Sequence, residues 1–261
     1  MTIIRTMLAA FAVAGTMAVA ALGGPAHADD LDAIKQKGVI RIAMSGAYPP
    51  FNFVNEQNEV VGFDPSIGEA LAKQMGVKVE IITTAWDGII GGLLANKYDA
   101  IVGSMSITDE RKKVVDFVGP YYKTARAVFV KDGGKITDFS QLKGATVGAT
   151  LGETHEQWAR QQGWKLRTYK GLPELLLELD NGRVDAIVTD DIPVLLAMKT
   201  DGRTFKEIAI PGNEGVSDLV GIAIRKNNPE LHEALQQALD KIQADGTYLA
   251  IANKWVGGDI R

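Results

Sequence analysis

Two stretches of this chain repeat one another. Residues 89–102 read IIGGLLANKYDAIV, and residues 175–188 read LLLELDNGRVDAIV. In each, an apolar helical run meets a polar turn and then a buried strand, in one register at an offset of 86 residues. Because helix, turn and strand all agree, the echo predicts two lobes of similar build. Each copy ends by delivering polar residues: Gly103-Ser104 in the first and Thr189-Asp190 in the second. At the common offset, Ser104 and Asp190 are equivalent positions. Ligands of open α/β sheets bind beyond the carboxyl ends of the strands. Two lobes with facing strand ends therefore enclose a cleft.

The remaining pattern fits this plan. Residues 39–44, 77–83, 98–102, 127–131, 146–149, 165–169, 184–188 and 219–224 read as strands. Residues 64–75, 86–95, 173–181 and 229–255 read as helices, with a break at Gly246 and a further start at 108–113. Asp64 is expected to cap its helix, with Pro65 at the first helical position. Alternating strands and helices predict an α/β architecture with a mainly parallel sheet in each lobe.

The first 28 residues read as an address. Arg5 is the only charge before Asp29, and residues 7–22 are small or apolar. That length suits a signal-peptide core and is short for a membrane span. Gly23-Gly24-Pro25 breaks the run, and Ala26-His27-Ala28 offers a cleavage site. The expected mature chain, residues 29–261, is exported and soluble, and a Gram-negative periplasm would retain it.

Composition narrows the function classes. The chain holds 28 Lys+Arg against 32 Asp+Glu, so it lacks the basic surplus of a nucleic-acid binder. Its 46% hydrophobic and 23% charged residues are a globular mix. It has no cysteine, which excludes disulfides, thiolate zinc sites and a cysteine nucleophile. No phosphate loop, dinucleotide fingerprint or HExxH occurs. His155 and His232 are the only histidines after residue 28. His155 beside Glu153 suits acid–base work, but no nucleophile motif accompanies it. No catalytic residue, metal or cofactor is expected.

Several residues suit a ligand with both charges. Thr108 reads as a helix N-cap followed by Asp109 and Glu110, which match the helix dipole. Arg111 in that first turn opposes the dipole. Its guanidinium fork suits a carboxylate. Asp190 can accept from an ammonium, since Asp191 can cap the next helix. Gly152-Glu153-Thr154 lies at a strand-to-helix turn whose amides suit an anion. Tyr48, in Ala47-Tyr48-Pro49-Pro50-Phe51, is expected in a stiff irregular loop. With Trp86 it is placed to wall the cleft.

The whole resembles the polar amino-acid-binding proteins of ABC importers, the extracellular solute-binding family 3 with a type II periplasmic binding fold. The resemblance spans about Gly38 to Trp255. It rests on Tyr48-Pro-Pro-Phe51, Val61-Gly-Phe-Asp64, Trp86-Asp-Gly-Ile89, Tyr98-Asp-Ala-Ile101, Ser106-Ile-Thr-Asp-Glu-Arg111, Asp116-Phe117 with Pro120-Tyr-Tyr122, Asp185-Ala186 with Asp190, and Asp245-Gly-Thr-Tyr248. It implies that Arg111 holds a ligand α-carboxylate, assisted by amides near Ser104 and Thr154. It implies that Asp190, helped by Ser106, holds the α-ammonium, and that Tyr48 and Trp86 sandwich the side chain. Relatives that bind cationic amino acids often carry aspartate where Ser45 stands and serine where Gly103 stands. Glu153 is the residue placed to restore that charge.

The resemblance implies one lobe from residues 29–124 plus 217–261, a second from residues 125–216, and a hinge at two crossings near 123–126 and 214–219. It implies a monomer that closes on a polar, even cationic, amino acid or derivative and delivers it to inner-membrane permease subunits. The alternative is an exported cyclohexadienyl or arogenate dehydratase, built on the same fold.

Overall fold

The computed structural model describes residues 29–213 and 216–261. The expected export segment lies outside the described residues, as do Glu214 and Gly215 in the second expected crossing. Two five-stranded sheets carry the fold. In the first, Lys78–Thr83, Val39–Met44 and Ala100–Ser106 run parallel, and Asp218–Arg225 and Val115–Thr124 complete it antiparallel. In the second, Lys165–Tyr169, Thr146–Thr150 and Ala186–Asp190 run parallel, followed by antiparallel Arg126–Lys131 and Phe205–Ile208. The strands that end the two echo segments, Ala100–Ser106 and Ala186–Asp190, each take the central place in their sheet.

Each sheet is thus mixed, where a mainly parallel one was expected. Parallel neighbours need a crossover, usually helical. The strands that pass between the sheets have none: Val115–Thr124 hands over to Arg126–Lys131 across Ala125 alone.

Local chemistry explains two other departures. The helix Phe63–Met75 is capped by Gly62, with Asp64 inside it and Pro65 third. Asp64 turns inward and collects side-chain donors instead of capping. The prolines after Tyr48 fall in the turn of a small three-stranded sheet of Ala47–Tyr48, Asn52–Val54 and Val60–Val61. Tyr48 therefore stands on a short strand rather than in an irregular loop. The expected helix at 86–95 begins as a 3-10 turn, Trp86–Gly88, and continues as Ile89–Leu94.

The largest buried cluster draws on both sheets. Tyr48 stacks on Phe51 and Phe51 on Tyr122, with ring centroids 5.6 and 4.9 Å apart. Phe63 meets Tyr248 edge-on at 5.7 Å. Such pairs add roughly 0.5–1.5 kcal/mol each beyond area burial. They tie Tyr48 into this buried cluster. No helix among the described residues is long and apolar enough to cross a membrane.

Candidate functional site

The cleft lies where the two sheets present their strand ends to each other. All ten residues singled out from the sequence line one cavity there: Ser45, Tyr48, Trp86, Gly103, Ser104, Ser106, Arg111, Glu153, Thr154 and Asp190. Ala47, Thr150, His155, Lys170 and Gly171 complete its wall. The enclosed space is only about 20 Å³, room for about one water. The lobes already touch, backbone to backbone. A Cβ on Gly171 would stand 2.7 Å from the Ala47 carbonyl oxygen, and one on Gly152 would stand 2.8 Å from Asp87 Cα. An amino acid can enter only if these walls move apart.

Ser104 and Ser45 are held from behind. Asp64 is fully buried and accepts from Asn52 Nδ2 at 2.6 Å, Ser104 Oγ at 2.8 Å and Tyr121 Oη at 2.7 Å. Tyr121 Oη in turn accepts from the Ser104 amide at 2.9 Å. These bonds pin Ser104 in a left-handed backbone, φ 61°, which non-glycine residues seldom adopt. Asn52 Oδ1 accepts from Ser45 Oγ at 2.9 Å and from the Gly46 amide at 2.8 Å. Burial pushes the Asp64 carboxyl up to about 6 against its three donors. At Gly103 a Cβ would lie 3.2 Å from Met44 Cα, so the serine of cationic-ligand relatives is a tight fit here.

Arg111 lies in the first turn of the helix Asp109–Lys112, as expected, with Thr108 Oγ1 accepting from its amide at 3.2 Å. Its Nη1 donates to the Ser106 carbonyl at 2.9 Å, and its guanidinium lies 5.7 Å from the Trp86 ring centroid. Trp86 therefore backs the arginine from the cleft wall. Among the described residues Arg111 forms no salt bridge with a carboxylate. Burial lowers its pKa, partly offset by Glu153 and Asp190.

Asp190 does not stand free, as an open ammonium acceptor would. Tyr48 Oη donates to one of its oxygens, and His155 Nε2 lies 3.1 Å from the other. Asp190 itself holds the N-cap position of the helix Asp191–Asp201 without a side-chain cap bond, and Asp191, expected to cap, is its first residue, its Oδ1 accepting from Ile192 N at 2.8 Å and from Ala125 N and Thr124 Oγ1 at 3.1 Å. Burial pushes the Asp190 carboxyl up, but His155 and the Tyr48 bond outweigh it, and its pKa lies below the ordinary value. His155 is raised in return, Asp190 overcoming burial and nearby Arg126. His232 lies away from the cleft's wall and bonds through Nε2 to the Phe117 carbonyl at 2.9 Å.

Glu153 forms no salt bridge among the described residues. Its Oε2 is buried without a hydrogen-bond partner, as is Thr150 Oγ1. Burial, reinforced by Asp190 and opposed by His155 and Arg111, pushes its carboxyl up to about 7. The cavity thus faces a cation, Arg111, and an acid, Glu153, which influence one another but form no salt bridge among the described residues. Buried charges are normally paired. Among the described residues no group of three or more His, Cys, Asp or Glu is placed to hold a metal.

The residues missed from sequence follow one rule. Thr150 ends the strand Thr146–Thr150, and Lys170 and Gly171 follow the strand Lys165–Tyr169. Applying the strand-end rule to every strand would have found them. His155, on the first turn of Thr154–Gln161, was legible only as a neighbour of Glu153.

Known proteins share this architecture. A family model for bacterial extracellular solute-binding proteins, family 3, matches residues 40–258. The L-cystine-binding protein TcyJ of Escherichia coli K12 is 36% identical over 258 residues, covering 95% of this chain and 96% of its own. The L-arginine-binding protein of Pseudomonas aeruginosa is 33% identical over 258 residues, covering 95% and 97%. A solved ancestral amino-acid-binding protein, described as a precursor of cyclohexadienyl dehydratase, superposes with a TM-score of 0.80 at 36% identity, over 87% of this chain and 99% of its own. With its two-lobed type II fold, this chain belongs to the bacterial extracellular solute-binding proteins, family 3.

Proposed function

We propose that this chain captures a polar α-amino acid in the exterior compartment and delivers it to the membrane subunits of an ABC importer. The observation that carries this reading is that Arg111 and Glu153 face one cavity between two lobes, neither joined in a salt bridge among the described residues, with one Glu153 oxygen lacking a hydrogen-bond partner. A zwitterion neutralises both at once. Arg111 takes the carboxylate, with Ser104 and Thr154 at its side. Glu153 takes the ammonium or a side-chain cation, joined by Asp190 once Tyr48 yields its place. Lobe 1 comprises residues 29–124 plus 217–261, and lobe 2 residues 125–216. Arg111 belongs to the first and Glu153 and Asp190 to the second, so ligand bonds exist only when the lobes are together. Ligand then shifts the population to the closed form. That closed form is what the transporter reads. In this reading residues 1–28 are an export signal, and the monomer is retained by the periplasm of a Gram-negative cell or otherwise released to the exterior.

The test is a thermal-shift screen of the purified protein against the common amino acids. A ligand at a hundred times its Kd stabilises by about 2.7 kcal/mol. A shift with a polar amino acid, abolished by Arg111→Ala, is expected. No shift with any of them overturns the reading. A second reading, an arogenate or prephenate dehydratase, draws on His155 paired with Asp190 beside a protonatable Glu153. The solved relative favours the binding role, being itself an amino-acid-binding precursor. Loss of prephenate or arogenate on incubation would reverse that preference.

A further inference from the structure

One side-chain hydrogen bond joins the lobes across the cleft: Tyr48 Oη donates to Asp190 Oδ2. Among the described residues, the other polar links between the lobes lie at the hinge, where Thr124 Oγ1 meets Asp191 and Arg126 meets Asp218. The cleft bond joins a phenol to a carboxylate, and charge-assisted bonds of this kind are the strong ones.

Each end of the bond is set in place by its own lobe. The Tyr48 ring is held by its stack on Phe51. Burial, reinforced by Asp190, pushes the Tyr48 pKa well above its ordinary value, so the hydroxyl keeps the proton it donates. Asp190 pairs with Arg126 in the strand ladder, and its other oxygen faces His155 Nε2. His155 is steadied in turn, its Nδ1 accepting from Arg126 Nε at 3.4 Å. Beside the bond, Ala47 meets the Gly171 backbone, so Tyr48 reaches Asp190 where the lobes approach most closely. With the bond made, the cavity has room for about one water. This arrangement and an amino acid in the cleft therefore exclude each other.

We infer that Tyr48 is an autoinhibitory latch: its hydroxyl, seated on Asp190, closes the lobes in competition with the ammonium of a ligand. The competition rests on the amino-acid reading of the cleft. The latched form admits no amino acid, so binding draws on the unlatched fraction alone. A chain that is half latched binds at half its intrinsic strength. Losing the hydroxyl removes the competitor, while the ring and its stack on Phe51 stay.

The experiment measures the distance between two spin labels on the purified protein, with no amino acid added. The chain has no cysteine, so labels at Glu56→Cys and Lys199→Cys, both exposed and one on each lobe, attach at those two positions alone. Two populations are expected, a short distance matching the closed structure and a longer one. Tyr48→Phe is expected to lose the short population. Gly171→Ala, which blocks the same approach from the backbone, is expected to lose it as well. By calorimetry, the common amino acids that bind wild type are expected to bind Tyr48→Phe about twofold more tightly or better. A wild type without the short distance, a short distance that survives either substitution, or equal or weaker binding by Tyr48→Phe overturns the latch and leaves the amino-acid reading standing. Binding of no amino acid by either protein overturns that reading, and with it the competition, while the distances still decide whether Tyr48 closes the lobes.

Discussion

Asp64 and Glu153 are both carboxylates withdrawn from water at the cleft, and the protein treats them in opposite ways. Asp64 lies one layer behind the wall and receives three donors within 2.6–2.8 Å. Glu153 lies on the wall, and one of its oxygens receives nothing. Both are pushed up by burial, to about 6 and about 7. The difference lies in who completes the hydrogen bonding. Asp64 is completed by the fold, and the fold gains a fixed Ser104, Asn52 and Ser45 in return. Glu153 has an oxygen that a ligand donor can complete. A buried carboxylate is therefore not a binding residue by virtue of being buried. Its unmet hydrogen bonds mark it as one.

Removing either side breaks the comparison in a different currency. Asp64→Ala strands three buried donors and is expected to lower stability by about 3–5 kcal/mol, each unsatisfied group costing about 1–3 kcal/mol. A denaturant midpoint near wild type would show that Asp64 is no scaffold. Arg111→Ala, the cationic counterpart of Glu153, is expected to cost about 2–5 kcal/mol of ligand affinity. It is expected to lower unliganded stability by only about 1 kcal/mol, since the fold gives it one bond to the Ser106 carbonyl and the Trp86 ring. A loss without ligand as large as that of Asp64→Ala would place Arg111 with Asp64 instead. Gly171→Ala sharpens the same division from the backbone side. Gly171 has extended backbone, φ −168°, so alanine is unstrained there while the lobes are apart. Only closure drives its Cβ into Ala47, and overpacking of this kind costs about 1–3 kcal/mol. Affinity is expected to fall by that amount with the unliganded melting curve unmoved.

The architecture and the roster of the cleft were legible because periodicity and strand ends carry them. The echo between residues 89–102 and 175–188 placed Ser104 and Asp190 at matching strand ends, and both strands hold the centre of their sheets. What the sequence hid was partnership. Asp64 looked like a cap because it precedes Pro65. Its inward turn depends on Asn52 and Tyr121, which lie 12 and 57 residues away. Asp190 looked free because Asp191 could cap, and Tyr48, 142 residues distant, was not foreseeable as its donor. Side-chain pairing across such separations follows from the closed tertiary structure, and no local spacing encodes it. The mixed character of the sheets was hidden likewise, since the crossing at Ala125 carries no turn signal.

The smallest expected effect tests the carboxylate on the cleft wall by its proton. The Glu153 carboxyl is raised from an ordinary value of 4.5 to about 7, foremost by burial. The folded state therefore holds that proton more tightly than the unfolded chain does. Its contribution to unliganded stability is full below about pH 4.5 and is lost as pH rises through about 7. Ligand binding works the other way. A ligand donor or cation favours the ionised form, so the site must lose its proton to bind, and affinity rises with pH until about 7. Each pH unit below that value weakens binding about tenfold, so affinity at pH 8 is expected to exceed that at pH 6 about tenfold. Glu153→Gln, which keeps the shape and cannot ionise, is expected to flatten both curves: affinity independent of pH from 6 to 8, and unliganded stability without the decline above pH 4.5. Titration calorimetry across that range decides the matter. A wild-type affinity that is flat in pH, or a Gln variant that keeps the slope, would mean that Glu153 is completed by the fold after all, and that the ligand's positive end is held at Asp190 alone.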